Sequence, residues 1–131
     1  MPEQLIYSII ESPSHPDFTA LYFRMGFREC RFNSQRKAMI QLKAAPAAFI
    51  VAEFFYGFGN NYAGVNVSNL DVLLMSLPRY SPATRAIVLA QKDQYPHIDK
   101  LEALFSLYKV LPLPVNESEM RQVLATYKTS A

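Results

Sequence analysis

The sequence of 131 residues has one cysteine, no long apolar run and no block of basic residues. Because Cys30 stands alone, a disulfide framework and a cysteine-based metal site are excluded, and a reducing, cytoplasmic setting fits. No apolar stretch approaches the roughly 20 residues that a membrane-spanning helix needs. The thirteen basic residues are scattered and the net charge is only +2, so the sequence predicts no binding of nucleic acid or membrane.

Sequence motifs of enzymes and cofactor sites are also missing. The first apolar run is followed by "ESPSHPD" (11–17), where a glycine-rich phosphate loop would be needed for a nucleotide or flavin. His15 and His97 lie far apart, with no partner at metal-ligand spacing. No triad or nucleophile-elbow motif is present either. The sequence therefore predicts no catalytic residue, no metal site and no cofactor.

Apolar runs that favour strands alternate with segments of helical period. Half of the residues are apolar and 18% are charged, which indicates a compact protein, and we predict a single domain over 1–131. The predicted strands are 5–10, 27–32, 48–54, 85–91 and 109–115. The predicted helices are 17–25, 34–45, 68–77, 97–108 and 116–128. Five strand–helix pairs with short links favour a parallel sheet with helices on both faces.

Local signals set the predicted ends and buried faces of the helices. Gly26 ends the first helix, and Ser34 is the expected N-cap of the second. The third and fifth helices open on pairs at capping-box spacing. These pairs are Ser68 with Asp71 and Asn116 with Glu119. The apolar positions expected inside the second and fourth helices are Ala38, Ile40, Leu42, Ile98, Leu101, Leu104 and Phe105.

Three segments carry a resemblance to a known family. They are "GFREC" (26–30), "KAMIQLKAAPAAFIVAEF" (37–54) and "LPLPVNESEMRQVL" (111–124). With them the chain resembles a CheY-like receiver domain of response regulators over almost its whole length, from Leu5 to Tyr127. The resemblance implies a flavodoxin-like (βα)5 three-layer sandwich of α/β class, with five parallel strands in the order 2-1-3-4-5.

The receiver family uses a set of polar residues at the carboxyl ends of its strands. Two acids after the first strand hold Mg²⁺, and an aspartate ending the third strand accepts phosphate. A hydroxyl residue ending the fourth strand, and a lysine before a proline in the fifth, contact the phosphoryl group. The corresponding positions in this chain are Ile10 and Glu11, Glu53, Ala90, and Leu113 followed by Pro114.

Most of these positions lack the functional group that the receiver family has there. Ile10 offers no oxygen to a metal ion, and the Glu53 side chain is one methylene longer than aspartate. Ala90 and Leu113 can neither donate a hydrogen bond nor neutralise a phosphoryl group. The resemblance therefore implies a degenerate receiver, or pseudo-receiver, that signals through protein–protein contact without phosphorylation.

The role of Glu53 remains open between two interpretations. A carboxylate could stand permanently for a phosphorylated aspartate, although it has one negative charge where a phosphoryl group has nearly two. Alternatively, Glu53 is a solvated or hydrogen-bonded relic at a strand end. Lys92, two residues after Ala90, is a candidate ion-pair partner for it.

An aromatic segment follows Glu53. Phe54 is expected in the core, whereas Phe55, Tyr56, Phe58 and Tyr62 lie in a long loop with glycine and asparagine. Exposed aromatic residues in a loop favour a binding surface. The same residues could instead fold over the vacant acidic pocket and fill it. With either alternative, we expect that phosphate cannot bind in the pocket.

The resemblance also implies where partners bind. In receiver domains the fourth helix, fifth strand and fifth helix commonly form the interaction face, which here spans 97–128 and could support a homodimer. The exposed residues expected on it are Lys100, Glu102, Arg121 and Lys128.

Two alternative functions remain. One is an atypical receiver that is phosphorylated or binds metal at Glu53 and Glu11, and the other is a small-ligand-binding flavodoxin-like domain.

Overall fold

The computed structural model describes residues 4–56 and 68–129, with side chains described as far as Thr126. Five strands and five helices alternate along this part of the chain. The strands are β1 (Gln4–Ile9), β2 (Phe27–Phe32), β3 (Phe49–Glu53), β4 (Arg85–Ala90) and β5 (Lys109–Pro112). The helices are α1 (Thr19–Arg24), α2 (Gln35–Ala44), α3 (Asp71–Tyr80), α4 (Ile98–Glu102) and α5 (Glu117–Thr129).

The five strands form one parallel sheet in the order β2-β1-β3-β4-β5. In the centre, Ile6 of β1 is paired with Phe49 of β3, which is in turn paired with Arg85 of β4. All five residues of β3 are buried, as expected for a strand covered on both faces. The sequence prediction of a flavodoxin-like sheet in the order 2-1-3-4-5 is confirmed.

Apolar side chains alternate between two cores, one on each face of the sheet. On one face, α1 and α5 cover Phe49, Val51, Ile87 and Leu89. On the other, α2, α3 and α4 cover Ile50, Ala52, Val88 and neighbouring residues. Because strand side chains alternate with period 2, each central strand contributes to both cores. The result is a three-layer sandwich.

The predicted helix signals explain several observed ends. Gly26 has a φ of 89°, which suits glycine just after a helix. Ser34 Oγ accepts a hydrogen bond from the Lys37 amide at 3.2 Å. At α5, the Asn116 amide donates to Glu119 Oε1 at 3.0 Å, and the Glu119 amide donates to Asn116 Oδ1 at 2.8 Å. This reciprocal pair is the predicted capping box.

The fourth helix is much shorter than predicted. A 3₁₀ turn (Tyr95–His97) leads into α4, which ends at Glu102 instead of continuing to 108. Leu104 is 52% exposed, and Phe105 is only partly buried against the core. The chain must leave the helix early because the Tyr108 amide already donates to the Ala86 carbonyl at 2.9 Å, next to the start of β5.

Two smaller predictions about helices are also wrong. The third helix begins at Asp71, not Ser68, and extends to Tyr80. Before it, the Ser68 amide donates to Asp71 Oδ1 at 3.0 Å, so these residues form a turn that precedes the helix. Ile40 is 61% exposed instead of buried. Ala38 and Leu42 are four residues apart on the buried side of α2, which puts Ile40 on the opposite side.

None of the helices in the described ranges combines the length and the hydropathy that crossing a bilayer would require. This finding is limited to 4–56 and 68–129.

Candidate functional site

Glu53 is the centre of a polar cluster at the carboxyl ends of the strands. It is the last residue of β3, which lies between β1 and β4 in the sheet. The residue is 1% exposed, so its carboxylate has almost no contact with solvent. In a parallel sheet the loop that follows β1 emerges beside this carboxylate. That loop, residues 10–18, is called the β1–α1 loop below.

The β1–α1 loop encloses the Glu53 carboxylate with hydrogen-bond donors. Oε2 accepts from the Glu11 amide at 2.7 Å and from the Ser12 amide at 3.2 Å. The Ser12 hydroxyl donates to Oε1. His15 Nδ1 lies 3.1 Å from Oε2, and both of these side chains are 2% exposed. The carboxylate is therefore buried and hydrogen-bonded, not solvated. The choice between a hydrogen-bonded relic and a substitute for a phosphorylated aspartate stays a prediction.

Opposing effects act on the pKa of Glu53. Burial raises the pKa because it disfavours the charged carboxylate. The hydrogen bonds from the side chains of His15 and Ser12 and from the Glu11 amide lower it, as does any positive charge on His15. The donors prevail, and the pKa of Glu53 lies below its usual value. The group is therefore an ionised carboxylate at neutral pH.

Asn69 joins the cluster to the segment before α3. Its Nδ2 donates to the Glu53 carbonyl at 2.8 Å and to Glu11 Oε1 at 3.1 Å. Its Oδ1 accepts from the Phe55 amide at 2.7 Å. Gln35 Nε2 also donates to Glu11 Oε1, at 3.1 Å. Glu11 therefore contributes its backbone amide to Glu53, while its own carboxylate binds amide side chains.

The remaining receiver-equivalent positions lie around the same edge and are apolar. Ala90 is fully buried at the end of β4, and its carbonyl accepts from the Leu113 amide at 2.8 Å. Leu113 is buried, and its peptide bond to Pro114 is cis. Ile10 is half-buried beside Phe32 and Lys37. None of these side chains can donate a hydrogen bond to Glu53 or bind a metal ion beside it.

Lys92 does not form the ion pair with Glu53 that the sequence suggested. Its side chain is exposed, and the ion pairs and hydrogen bonds of the Glu53 carboxylate within 4–56 and 68–126 do not include it. The β1–α1 loop reaches the carboxylate directly. The donors come from that loop.

The aromatic segment is described only at its start. Phe54 is buried as predicted, Phe55 is half-buried and Tyr56 is exposed. The Tyr56 ring stacks on His97, with centroids 3.7 Å apart and planes 8° apart. Lys100 Nζ donates to the Tyr56 hydroxyl at 2.9 Å.

The Tyr56 contacts attach the start of the loop to the 3₁₀ turn and α4. Phe58 and Tyr62 lie outside the described residues. Whether this loop fills the pocket or binds a partner therefore stays a prediction.

The sequence did not reveal several residues of the cluster, which are Ser12, His15, Gln35 and Asn69. His15 has no other histidine near it in the sequence, and it is 38 residues from Glu53. The usable signal is positional: "ESPSHPD" follows β1, and Glu53 ends the neighbouring strand, so the two must meet at one edge of the sheet. Within the described ranges, no three histidine, cysteine or acidic residues are grouped as metal ligands.

Comparisons with known proteins agree with this fold. No protein-family model matches the chain. No curated protein matches it in sequence. Among solved structures, it is similar to a CheY-like response-regulator receiver domain from Methylobacillus flagellatus, with 12% identity and a TM-score of 0.70. That alignment covers 96% of this chain and 99% of the other.

Two further structures have the same degree of similarity. The signal receiver domain of a protein described as a Luxo repressor from Vibrio parahaemolyticus is 13% identical, with a TM-score of 0.70 over 98% of this chain and 92% of that one. A streptococcal protein is described as belonging to redox sensors evolved from two-component response regulators. It is 13% identical at a TM-score of 0.70, over 97% of this chain and 52% of that chain. The chain therefore has the fold of a response-regulator receiver domain.

Proposed function

We propose that the chain is a receiver-like signalling domain that acts through contacts with other proteins, without accepting or transferring phosphate. The observation that carries the proposal is the enclosure of the Glu53 carboxylate. Both of its oxygens accept hydrogen bonds from the β1–α1 loop, and the residue is 1% exposed. A phosphoacceptor must present a free oxygen in line with the leaving group.

The neighbouring residues support the same proposal. Phosphoryl transfer depends on positioned positive charge and donors around the transferred group. At the equivalent positions this chain has Ile10, Ala90 and Leu113, which offer neither. The donors that are present, from Ser12 and His15, are already bound to the Glu53 carboxylate. Phosphorylation would first require the loop to release Glu53 and expose it.

A receiver fold without phosphotransfer needs another means of acting, and binding to proteins is the one that we propose. The streptococcal protein, described as a redox sensor evolved from response regulators, indicates that this fold can serve other roles. The predicted 97–128 face has exposed Lys100, Glu102 and Arg121, and it stays a candidate for partner binding or a homodimer. A cytoplasmic location likewise stays a prediction.

Intact-mass spectrometry tests the phosphorylation part of the proposal. The protein is incubated with Mg²⁺ and acetyl phosphate and weighed, beside a receiver domain that accepts phosphate under the same conditions. We expect the control to gain the mass of a phosphoryl group and this protein to keep its mass. A gain in this protein that disappears in Glu53→Gln would establish the alternative, an atypical phosphoacceptor.

Affinity purification tests the interaction part. The tagged protein and its Glu53→Gln variant are purified from the source cell, and the bound proteins are identified. We expect the same partner with wild-type protein before and after phosphatase treatment of the lysate. If no protein is enriched over a tag-only control, the proposal of a protein-binding signalling domain is wrong.

A further inference from the structure

Exposed charge is unevenly distributed along the chain. From Asn33 to Lys92 the sequence has only two carboxylates, Glu53 and Asp71, and both residues are buried. The basic residues of the same segment are Arg36, Lys37, Lys43, Arg79, Arg85 and Lys92. These 60 residues therefore contribute positive charge to the surface and no exposed carboxylate.

Two helices of this segment present a mixed basic and apolar stripe. On α2, residues Arg36, Ile40 and Lys43 are exposed at spacings of four and three, so they lie along one side of the helix. On α3, Val72, Met75 and Arg79 do the same at spacings of three and four.

The exposed apolar residues are large. Ile40, Val72 and Met75 are 61%, 62% and 67% exposed.

The two stripes lie side by side. Both helices cover the same face of the sheet and follow parallel strands, so they run in the same direction. Tyr80, at the end of α3, joins them: Lys43 Nζ lies 4.6 Å from the centre of its ring, and Arg79 Cζ lies 5.7 Å from it. We call this surface, formed by the two stripes and Tyr80, the α2–α3 face.

We propose that the α2–α3 face binds an acidic amphipathic helix of a partner protein. The inference rests on the proposed function, and it names a surface other than the 97–128 face. The apolar side of such a helix would cover Ile40, Val72 and Met75, which are otherwise left in water. Its carboxylates would meet Arg36, Lys43 and Arg79. Recognition of an amphipathic helix through regularly spaced apolar anchors is a recurring mode of binding.

Charge complementarity selects this occupant over a second copy of the chain or an anionic membrane. Two α2–α3 faces would bring like charges together, because α2 has no acid and the acid of α3 is buried. For a membrane, the aromatic anchor on the face is Tyr80, and its ring is engaged by Lys43 and Arg79. Membrane-surface helices typically insert Trp, Phe or Leu. An acidic amphipathic helix matches both the positive charge and the exposed apolar side chains of this face.

The test is a titration of the isotope-labelled full chain, followed by nuclear magnetic resonance. The probe is a designed peptide that forms a helix with leucine on one side and glutamate on the other; its control has glutamine in place of glutamate. We expect shifts confined to α2 and α3 with the acidic peptide, and at least about tenfold weaker binding of the glutamine peptide. Raising the salt concentration should also weaken binding, because it screens the charges.

Matched variants localise the binding. Met75→Glu adds an acid to the face and should weaken binding by about tenfold or more. Phe23→Glu makes the same change on α1, where Phe23 is 80% exposed on the opposite side of the sheet. It should leave binding unchanged. Both positions are exposed, and circular dichroism confirms that each variant is folded.

Several results would overturn the inference. They are equal binding of the two peptides, equal losses for Met75→Glu and Phe23→Glu, or no binding at all. Tighter binding to phosphatidylcholine–phosphatidylserine vesicles than to the acidic peptide would assign the face to a membrane. Self-association lost in Met75→Glu would assign it to a second copy. The same sample is weighed after acetyl phosphate treatment, so a mass gain would reject the proposed function separately from the peptide result.

Discussion

His15 Nδ1 lies 3.1 Å from Oε2 of Glu53, and both side chains are 2% exposed. The contact joins the β1–α1 loop to the tip of the central strand β3. The carboxylate of Glu53 accepts hydrogen bonds that hold this loop at the end of the strand. The acid therefore contributes to stability, and a buried charge of this kind is stabilising only while its donors remain in place.

The first prediction concerns the charge of Glu53. Glu53→Gln removes the charge and puts an NH₂ group among the donors of Glu11, Ser12 and His15. We expect a loss of about 1–3 kcal/mol in the free energy of unfolding, since a buried donor is then left unsatisfied. Urea denaturation measures it. Glu117→Gln is the control, because Glu117 is about half exposed in its pair with Arg24 and should cost less than about 1 kcal/mol. Equal effects of the two changes would contradict the prediction.

The second prediction is a dependence of stability on pH. The pKa of Glu53 is lower in the folded protein than in the unfolded chain. Its stabilising contribution is therefore complete above the unfolded value of about 4.3 and is lost as the pH falls through the lower, folded value. The difference in free energy of unfolding between wild type and Glu53→Gln should shrink across that range. Urea denaturation at a series of pH values measures it, and a difference that grows on acidification would refute the assignment.

The third prediction distinguishes the hydrogen bond that His15 Nδ1 donates from the packing of the imidazole ring. His15→Ala removes one donor from a buried carboxylate, and we expect a loss of about 1–3 kcal/mol. His15→Asn keeps an N–H donor near the position of Nδ1, so it should recover much of that loss. Thermal and urea unfolding compare the variants. If Asn is no better than Ala, the ring acts through packing and not through its hydrogen bond to Glu53.

The strands and several helix ends could be predicted because their signals are local, whereas the order of the strands followed from the resemblance to receiver domains. The apolar run ending at Glu53, the glycine at Gly26 and the pair Asn116 and Glu119 each specify their own segment. The end of α4 is not specified in this way. Leu104 and Phe105 continue the helical spacing from Leu101, yet the chain leaves the helix to begin β5. Here the tertiary pairing of strands overrides a pattern that local spacing favours.

The candidate site was predictable only in part. The position of Glu53 follows from the end of its strand, and the loss of polar groups at Ala90 and Leu113 follows from the resemblance. The partner of Glu53 does not follow, because it depends on how the β1–α1 loop folds over the strand ends. Lys92 was the partner that the sequence suggested, but His15 makes the contact. Loop conformation is set by many weak contacts that periodicity does not encode.

The fourth prediction tests where α4 ends. Leu101→Ala leaves a cavity at a fully buried position, and we expect a loss of about 2–5 kcal/mol. Leu104→Ala is the matched control on the predicted continuation of the same stripe. Since Leu104 is largely exposed, it should change the free energy of unfolding by only about 0.5 kcal/mol. Urea denaturation compares the two, and similar large losses would mean that the helix continues beyond Glu102 with Leu104 inside.

The fifth prediction concerns the capping box of α5. Asn116→Ala removes the acceptor for the Glu119 amide, and we expect a loss of about 1 kcal/mol. Ser118→Ala is the control, because Ser118 is exposed in the same turn and should have an effect within about 0.5 kcal/mol.

The two halves of the capping box are reciprocal. The double change of Asn116 and Glu119 to alanine should therefore cost less than the sum of the single changes, as measured by thermal unfolding. Strictly additive losses would show that the two hydrogen bonds form independently.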